Sequence, residues 1–211
     1  ILTGVAVSGQ SRCSAVARSP ETDLVGDSQG GGFWPAELKN AGFDGIVVHG
    51  KAKSPVYLWL HDGEAELRDA AHLTGRFTAD VEDAIRAELD DRRIQVLQCG
   101  PAAEAGVRYS ALISSAGRAH GRTGMGLVMA SKNLKAVAVR GKNRPELANP
   151  EGVKALARWG ADNLDASDVA GLGMFGTAEV LMVQNEAGGL PTRNWSSGYF
   201  EDAKAIGGQT M

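Results

Sequence analysis

The sequence predicts an α+β protein: a β-rich domain over residues 1–146, with its start missing, then the opening helices of an incomplete helical domain over 147–211. Three observations lead there. Short segments rich in Val, Ile, Leu and aromatics alternate with turn residues through the first two thirds of the chain. Glycine is 28 of 211 residues, about 13% where about 7% is usual, and it punctuates these segments rather than forming a low-complexity tract. Near residue 146 the apolar spacing changes from strand-like to helical.

The elements follow in order. Ser14–Ala17, Gly45–His49, Val56–Leu60, Glu64–Leu67, Ile94–Gln98, Arg108–Ile113 and Lys135–Arg140 read as strands. Val56–Leu60 and Glu64–Leu67 flank His61-Asp62-Gly63, where Asp-Gly supplies the positive φ of a hairpin turn. Trp34–Lys39 reads as a helix with Pro35 in its first turn and Gly42 as its stop. Thr78 caps a second helix, with Asp80, Glu82 and Asp83 set against its positive dipole end. Its apolar face is Val81, Ala84, Ile85 and Leu89. Gly126–Ser131 is a third helix. A boundary falls at Lys142–Asn149. Asn149-Pro150-Glu151 then opens a helix carrying Val153, Leu156, Ala157, Gly160 and Leu164 on one face. Another helix, Thr177–Ala187, ends at Gly188-Gly189.

Composition removes several functions. Hydrophobic residues are 43% of the chain, charged residues 22%, and the net charge is −3. With no extended Lys/Arg cluster, a nucleic-acid grip by phosphate neutralisation is not expected. No apolar run approaches the roughly 20 residues of a membrane span, so no membrane association is expected either. Cys13 and Cys99 show no metal-ligand spacing and no disulfide framework, which suits a reducing, cytoplasmic setting. The chain starts at Ile1 inside an apolar phrase, as a piece of a longer protein would.

Two segments carry chemistry. Asp27-Ser28-Gln29-Gly30-Gly31-Gly32-Phe33 lies directly before the Trp34 helix, where free amide N–H groups can face an anion. Gly117-Arg118-Ala119-His120-Gly121-Arg122-Thr123-Gly124-Met125-Gly126 precedes another helix and combines glycines, two guanidinium groups and a hydroxyl, the inventory of a phosphate site. Arg12 is a third element, on the strand that follows Ser8-Gly9-Gln10-Ser11. A glycine triplet before a helix serves a tight turn as readily as a ligand. Two such loops in one β-rich domain, both opening helices, tip the reading to an anionic cofactor. Neither loop is a Walker or dinucleotide fingerprint. His49, His61 and His72 read as structural, with no carboxylate at ligand spacing; His120 lies inside the second loop. The catalytic residues are unknown, because no nucleophile–base pair is visible, so the chemistry belongs to a cofactor.

Several phrases together resemble the amino-terminal domain of the tungsten-containing aldehyde ferredoxin oxidoreductases. They are Leu2-Thr3-Gly4, Gly31–Val48, Pro55–Leu58, Leu67–Ala70, Gly100-Pro101-Ala102, Arg118–Gly126, Ala130–Ala136 and Gly176-Thr177-Ala178. The resemblance implies a multi-sheet base beneath a bis-pyranopterin of tungsten or molybdenum, its phosphates joined through magnesium. It carries cofactor contacts onto Arg12, Gln29, Gly31, Arg118, Ala119, Gly121 and Arg122, with the main-chain carbonyls of Gln29 and Ala119 on magnesium and one loop for each pterin. It also implies that His120 replaces a usually small residue.

The resemblance further implies a parent enzyme that oxidises a small aldehyde to a carboxylate and passes electrons through a 4Fe–4S cluster to ferredoxin or another electron-transfer protein. The cluster ligands lie outside this chain, and a homo-oligomer is left open. The isolated piece is expected to be inactive. Two other readings stand beside this one: an aromatic acyl-CoA reductase-type relative with the same cofactor, and a non-enzymatic β-rich module for a phosphate-bearing ligand.

Overall fold

The computed structural model describes residues 3–210, so Leu2 of the Leu2-Thr3-Gly4 phrase lies outside the described residues. The chain forms two compact units, residues 1–150 and 151–211.

The first unit holds two sheets. One is an antiparallel ribbon of β1 (Cys13–Arg18) and β2 (Val25–Gly30). The other has six strands: β3 (Val56–His61), β4 (Glu64–Asp69), β5 (Gln95–Cys99), β6 (Leu112–Ser114), β7 (Arg118–His120) and β8 (Leu134–Arg140), in the order β4-β3-β8-β5-β6-β7. Only β3 and β8 run parallel; every other pair in this sheet is antiparallel. Four helices accompany the sheets: α1 (Trp34–Asn40), α2 (Thr78–Glu88), α3 (Pro101–Glu104) and α4 (Met125–Ser131). The expectation of an α+β, multi-sheet, β-rich unit therefore holds.

Why the strands arrange this way can be read from their two faces. β8 is buried from Leu134 through Val139, as a strand covered on both sides must be. Leu60, Leu97, Val137 and Val139 form one core with Trp34 and Leu38 of α1 and Met125 of α4; β1 packs onto this side through Cys13, Ala15 and Ala17. Tyr57, Trp59, Val96, Ala136 and Ala138 form the other core with Val81 and Ile85 of α2. The Trp34 indole N–H donates to the Val137 carbonyl at 2.9 Å, which ties α1 to the central strand. At the hairpin, Asp62 and Gly63 take φ of 45° and 89°, as the Asp-Gly reading requires.

Five segments depart from expectation. Gly45–His49 is irregular rather than a strand: no ladder partner reaches it among the described residues, and Val47 is 81% exposed. The strand expected over Arg108–Ile113 begins only at Leu112. Asp27–Gly30 and Arg118–His120, taken as loops, are strands. Thr78 does not cap α2; Phe77 holds that position without a side-chain bond, and Glu82 is buried against Arg86 instead of facing solvent at the dipole.

Burial raises the Glu82 carboxyl above its ordinary range, with Arg86 opposing. A raised folded-state value means that the native protein holds its proton to higher pH than the unfolded chain does. This group's contribution is then greatest below its unfolded pKa and falls as pH rises toward the folded value. Glu82→Gln is accordingly expected to raise the melting temperature at pH 7 relative to wild type, and less so at pH 4. Melting curves at both pH values check this; a variant less stable at pH 7 would refute it.

In the second unit α5 (Pro150–Asp162) starts at the expected proline. The helix expected over Thr177–Ala187 is instead a 3-10 turn at Gly176–Val180 followed by α7 (Leu181–Glu186), with α6 (Ala170–Phe175) before it. Asn185 is buried and clamps Phe200 on both backbone groups, accepting from its N–H at 2.7 Å and donating to its carbonyl at 3.1 Å. Arg193, Asn194 and Trp195 all take positive φ, a left-handed turn in a segment that local sequence signals do not place.

Candidate cofactor site

The site is built where β2 lies against β7 and the residues after it. β2 alternates strictly: Val25, Asp27 and Gln29 point outward, while Gly26, Ser28 and Gly30 are buried. The buried positions are small because the two segments approach closely. A Cβ at Gly26 would stand 2.8 Å from Thr123, and one at Gly30 would stand 2.4 Å from the His120 ring. At Gly32, where φ is 103°, a Cβ would meet the Arg118 stem at 3.2 Å. The glycines read as a ligand cradle are thus first a packing requirement between two segments.

Hydrogen bonds fix the contact. The Arg122 backbone N–H donates to Ser28 Oγ at 3.1 Å, and His120 Nδ1 lies 2.8 Å from the Ser28 carbonyl oxygen. The Ser114 hydroxyl donates to the Gly31 carbonyl at 3.2 Å. Ser28 organises this contact. The period-two run Gly26-x-Ser28-x-Gly30 is the local signal that marks a strand with a small inward face.

Arg12, Asp27, Ser28, Gln29, Ala119, Gly121 and Arg122 line a surface cleft of about 540 Å³, to which β2 brings Asp27 and Gln29 from its outward positions. Five of the seven contact residues expected from the sequence therefore meet in one place, where the two glycine segments adjoin. Gly31 and Arg118 are not part of this lining. Gly31 sits beside Ser11, and the Arg118 stem lies against Gly32. Arg12 directly precedes β1 and does not lie within a strand.

The electrostatics suit an anion. Arg18, Arg68, Arg86, Arg93 and Arg140 each face a carboxylate. Among the described residues, no ion pair within 4 Å engages Arg12, Arg118 or Arg122, and all three are exposed. Asp27 brings one carboxylate to the same cleft, so a cation bridging anionic groups fits there as well as the groups themselves. Gly121 has open space within 4 Å of where a Cβ would stand, which lets a ligand approach the backbone.

The remaining candidates are not assembled into this cleft. His61, read as lacking a carboxylate, lies 3.2 Å from Glu66 and 3.8 Å from Glu64 across the hairpin, and stacks on Trp59. These three donors fall within 4.8 Å of one another, but Arg68 already grips the second oxygen of Glu66 through two N–H groups. His72 pairs with Glu88 at 3.2 Å. Sequence spacing could not show either contact, because each crosses between elements. Cys99 is buried in the core, and burial pushes its thiol up to about 11.

The description "Aldehyde ferredoxin oxidoreductase, N-terminal domain" matches residues 1–141, and "Aldehyde ferredoxin oxidoreductase, domains 2 & 3" matches residues 155–211. The chain belongs to the aldehyde ferredoxin oxidoreductase family. It is 40% identical over its whole length to the tungsten-containing aldehyde ferredoxin oxidoreductase of Pyrococcus abyssi, and 39% identical to that of Thermococcus kodakarensis. This family member spans 35% of the length of those relatives. Among solved structures it resembles the active-site complex BamBC of benzoyl coenzyme A reductase bound to 1,5-dienoyl-CoA. There the TM-score is 0.75 and the identity 37%, over 78% of this chain and 25% of that one. No helix among the described residues is long and apolar enough to cross a membrane.

Proposed function

We propose that residues 1–146 form the cofactor-binding floor of a tungsten bis-pyranopterin oxidoreductase, and that 147–211 begin its helical region. The observation that carries this reading is the single cleft that gathers Arg12, Gln29, Ala119, Gly121 and Arg122 between two close-packed strands. Relatives named for tungsten, identical at about two residues in five over the whole chain, support it.

The residues fit a phosphate-bearing, magnesium-bridged group. Arg12 and Arg122 would pair with phosphate oxygens through their planar forks. By the resemblance, Gln29 and Gly31 of the first segment would meet one pterin, and Arg118, Ala119, Gly121 and Arg122 of the second would meet the other. The carbonyls of Gln29 and Ala119 would hold magnesium, with Asp27 adding negative charge nearby. When bound, the tungsten centre supplies two-electron redox chemistry. This chain's own part is positioning and charge compensation.

The activity assigned to the full-length protein is oxidation of an aldehyde to a carboxylate, with electrons leaving through a 4Fe–4S cluster to ferredoxin in the cytoplasm. The resemblance puts the cluster ligands outside these 211 residues and leaves the catalytic residues unknown, so the isolated chain is assigned no turnover. The resemblance to the benzoyl coenzyme A reductase complex favours a second reading, an acyl-thioester reductase built on the same floor. Metal analysis and pterin fluorescence of the full-length protein test the cofactor, and product analysis with an aldehyde or an aromatic acyl-CoA separates the two reactions. A full-length protein free of both tungsten and molybdenum would overturn the proposal.

A further inference from the structure

His120 is the one fully buried histidine among the described residues, and the cofactor contacts above leave it without a role. It sits on β7 between Ala119 and Gly121, both of which line the cleft. Strand alternation turns its ring to the opposite side, against β2. There Nδ1 is 2.8 Å from the Ser28 carbonyl oxygen. A carbonyl only accepts, so Nδ1 donates this bond and carries a proton. The Cys13 thiol lies 3.7 Å from Nε2. Burial pushes that thiol up to about 11, so it keeps its proton.

Volume completes the arrangement. The ring occupies the space that any side chain at position 30 would need, since a Cβ there would come within 2.4 Å of Cδ2 and Nε2. Gly30 and His120 are therefore a matched pair, one empty and one filled. β2 and β7 belong to different sheets, and no backbone ladder joins them. Their spacing is set by side chains instead, chiefly by this ring and by Ser28 Oγ accepting from the Arg122 amide. The outward positions of the same two strands carry Gln29 and Ala119.

We infer that His120 is a positioning residue: its Nδ1–H bond to the Ser28 carbonyl, with the ring wedged over Gly30, sets the gap between Gln29 and Ala119 and so the cleft's grip on a phosphate-bearing cofactor. This rests on the cofactor reading above. It assigns the ring no contact with the cofactor itself.

The test uses the full-length enzyme and the variants His120→Asn, His120→Leu and Gly30→Ala. Asparagine offers an amide N–H close to the place of Nδ1, whereas leucine fills the volume without a donor. Tungsten per chain and amide hydrogen exchange across residues 118–126 are measured for each. His120→Leu is expected to lose at least fivefold in tungsten and to exchange faster across 118–126. His120→Asn is expected to recover more than half of both signals, and Gly30→Ala, which drives the ring out from the other strand, to behave like His120→Leu. Full tungsten in His120→Leu, or an asparagine variant no better than leucine, would overturn the inference. If the wild-type enzyme holds no tungsten, the proposed function fails. The exchange data then decide His120 alone: faster exchange in leucine restored by asparagine supports its role in spacing the strands, and no difference refutes it.

Discussion

Replacing Arg12 and Arg122 together with alanine is expected to strip tungsten from the full-length enzyme while leaving its fold intact. Both side chains are exposed and line the same cleft, and neither engages a carboxylate among the described residues, so neither supports the fold through an ion pair. A charge-assisted hydrogen bond to an ionised group is worth about 1.5–3 kcal/mol, or roughly 10- to 100-fold in affinity for each arginine. The single variants should therefore each lower occupancy, and the double variant should fall below one tenth of the wild-type tungsten content. Lysine at either position should be intermediate, because it keeps the charge and loses the planar fork. Arg76→Ala, exposed ahead of α2, is the control and should retain wild-type metal. Metal analysis beside melting curves reads the result. Unchanged tungsten in the double variant would remove the cleft from cofactor binding.

The second large effect concerns the fold. Gly141→Ala is expected to destabilise the first unit by about 3 kcal/mol or more, which for a unit of this size lowers the melting temperature by roughly 10 °C. Gly141 follows β8 and passes directly over the end of α1. A Cβ there would lie 1.9 Å from the Asn40 carbonyl carbon and 2.0 Å from the Ala41 nitrogen, both backbone atoms that cannot rotate away. The chain is held at this approach by four contacts. The Gly141 N–H donates to Glu37 Oε1 at 2.9 Å, Arg140 pairs with both Glu37 and Asp91, and the Asn143 N–H donates to the Asn40 carbonyl at 3.1 Å. Separating the two segments to admit a methyl group would loosen all of them. Gly45→Ala is the matched control, since nothing lies within 4 Å of its Cβ position and its φ is not positive. Differential scanning calorimetry of both variants checks the contrast; a Gly141→Ala protein melting with wild type would contradict the packing described here.

Much of the first unit is legible along the chain because its signals are local. The Asp62-Gly63 turn, the proline opening α1 and the unbroken apolar run of β8 each depend on residues that are neighbours in sequence. The phrases around Gly31–Val48 and Arg118–Gly126 likewise suffice to indicate the family. What misleads is any segment whose structure is set from a distance. Val47 and Val48 have strand-like composition but no ladder partner among the described residues. Glu82 has the placement of a dipole residue, yet the fold buries it beside Arg86. His61 and His72 find their carboxylates on other elements.

The glycine-rich segments show the division most clearly. From sequence alone came the family, the α+β class, and the two stretches proposed to face an anionic cofactor, because composition and motif are properties of the chain itself. That Gly26, Ser28 and Gly30 form a small inward face, that His120 fills the space above Gly30, and that five candidate contacts share one cleft were decided only by tertiary structure. The reason is physical: the closeness of β2 and β7 is a contact between strands of different sheets nearly a hundred residues apart, and no local rule of turn or period encodes a distance of that kind.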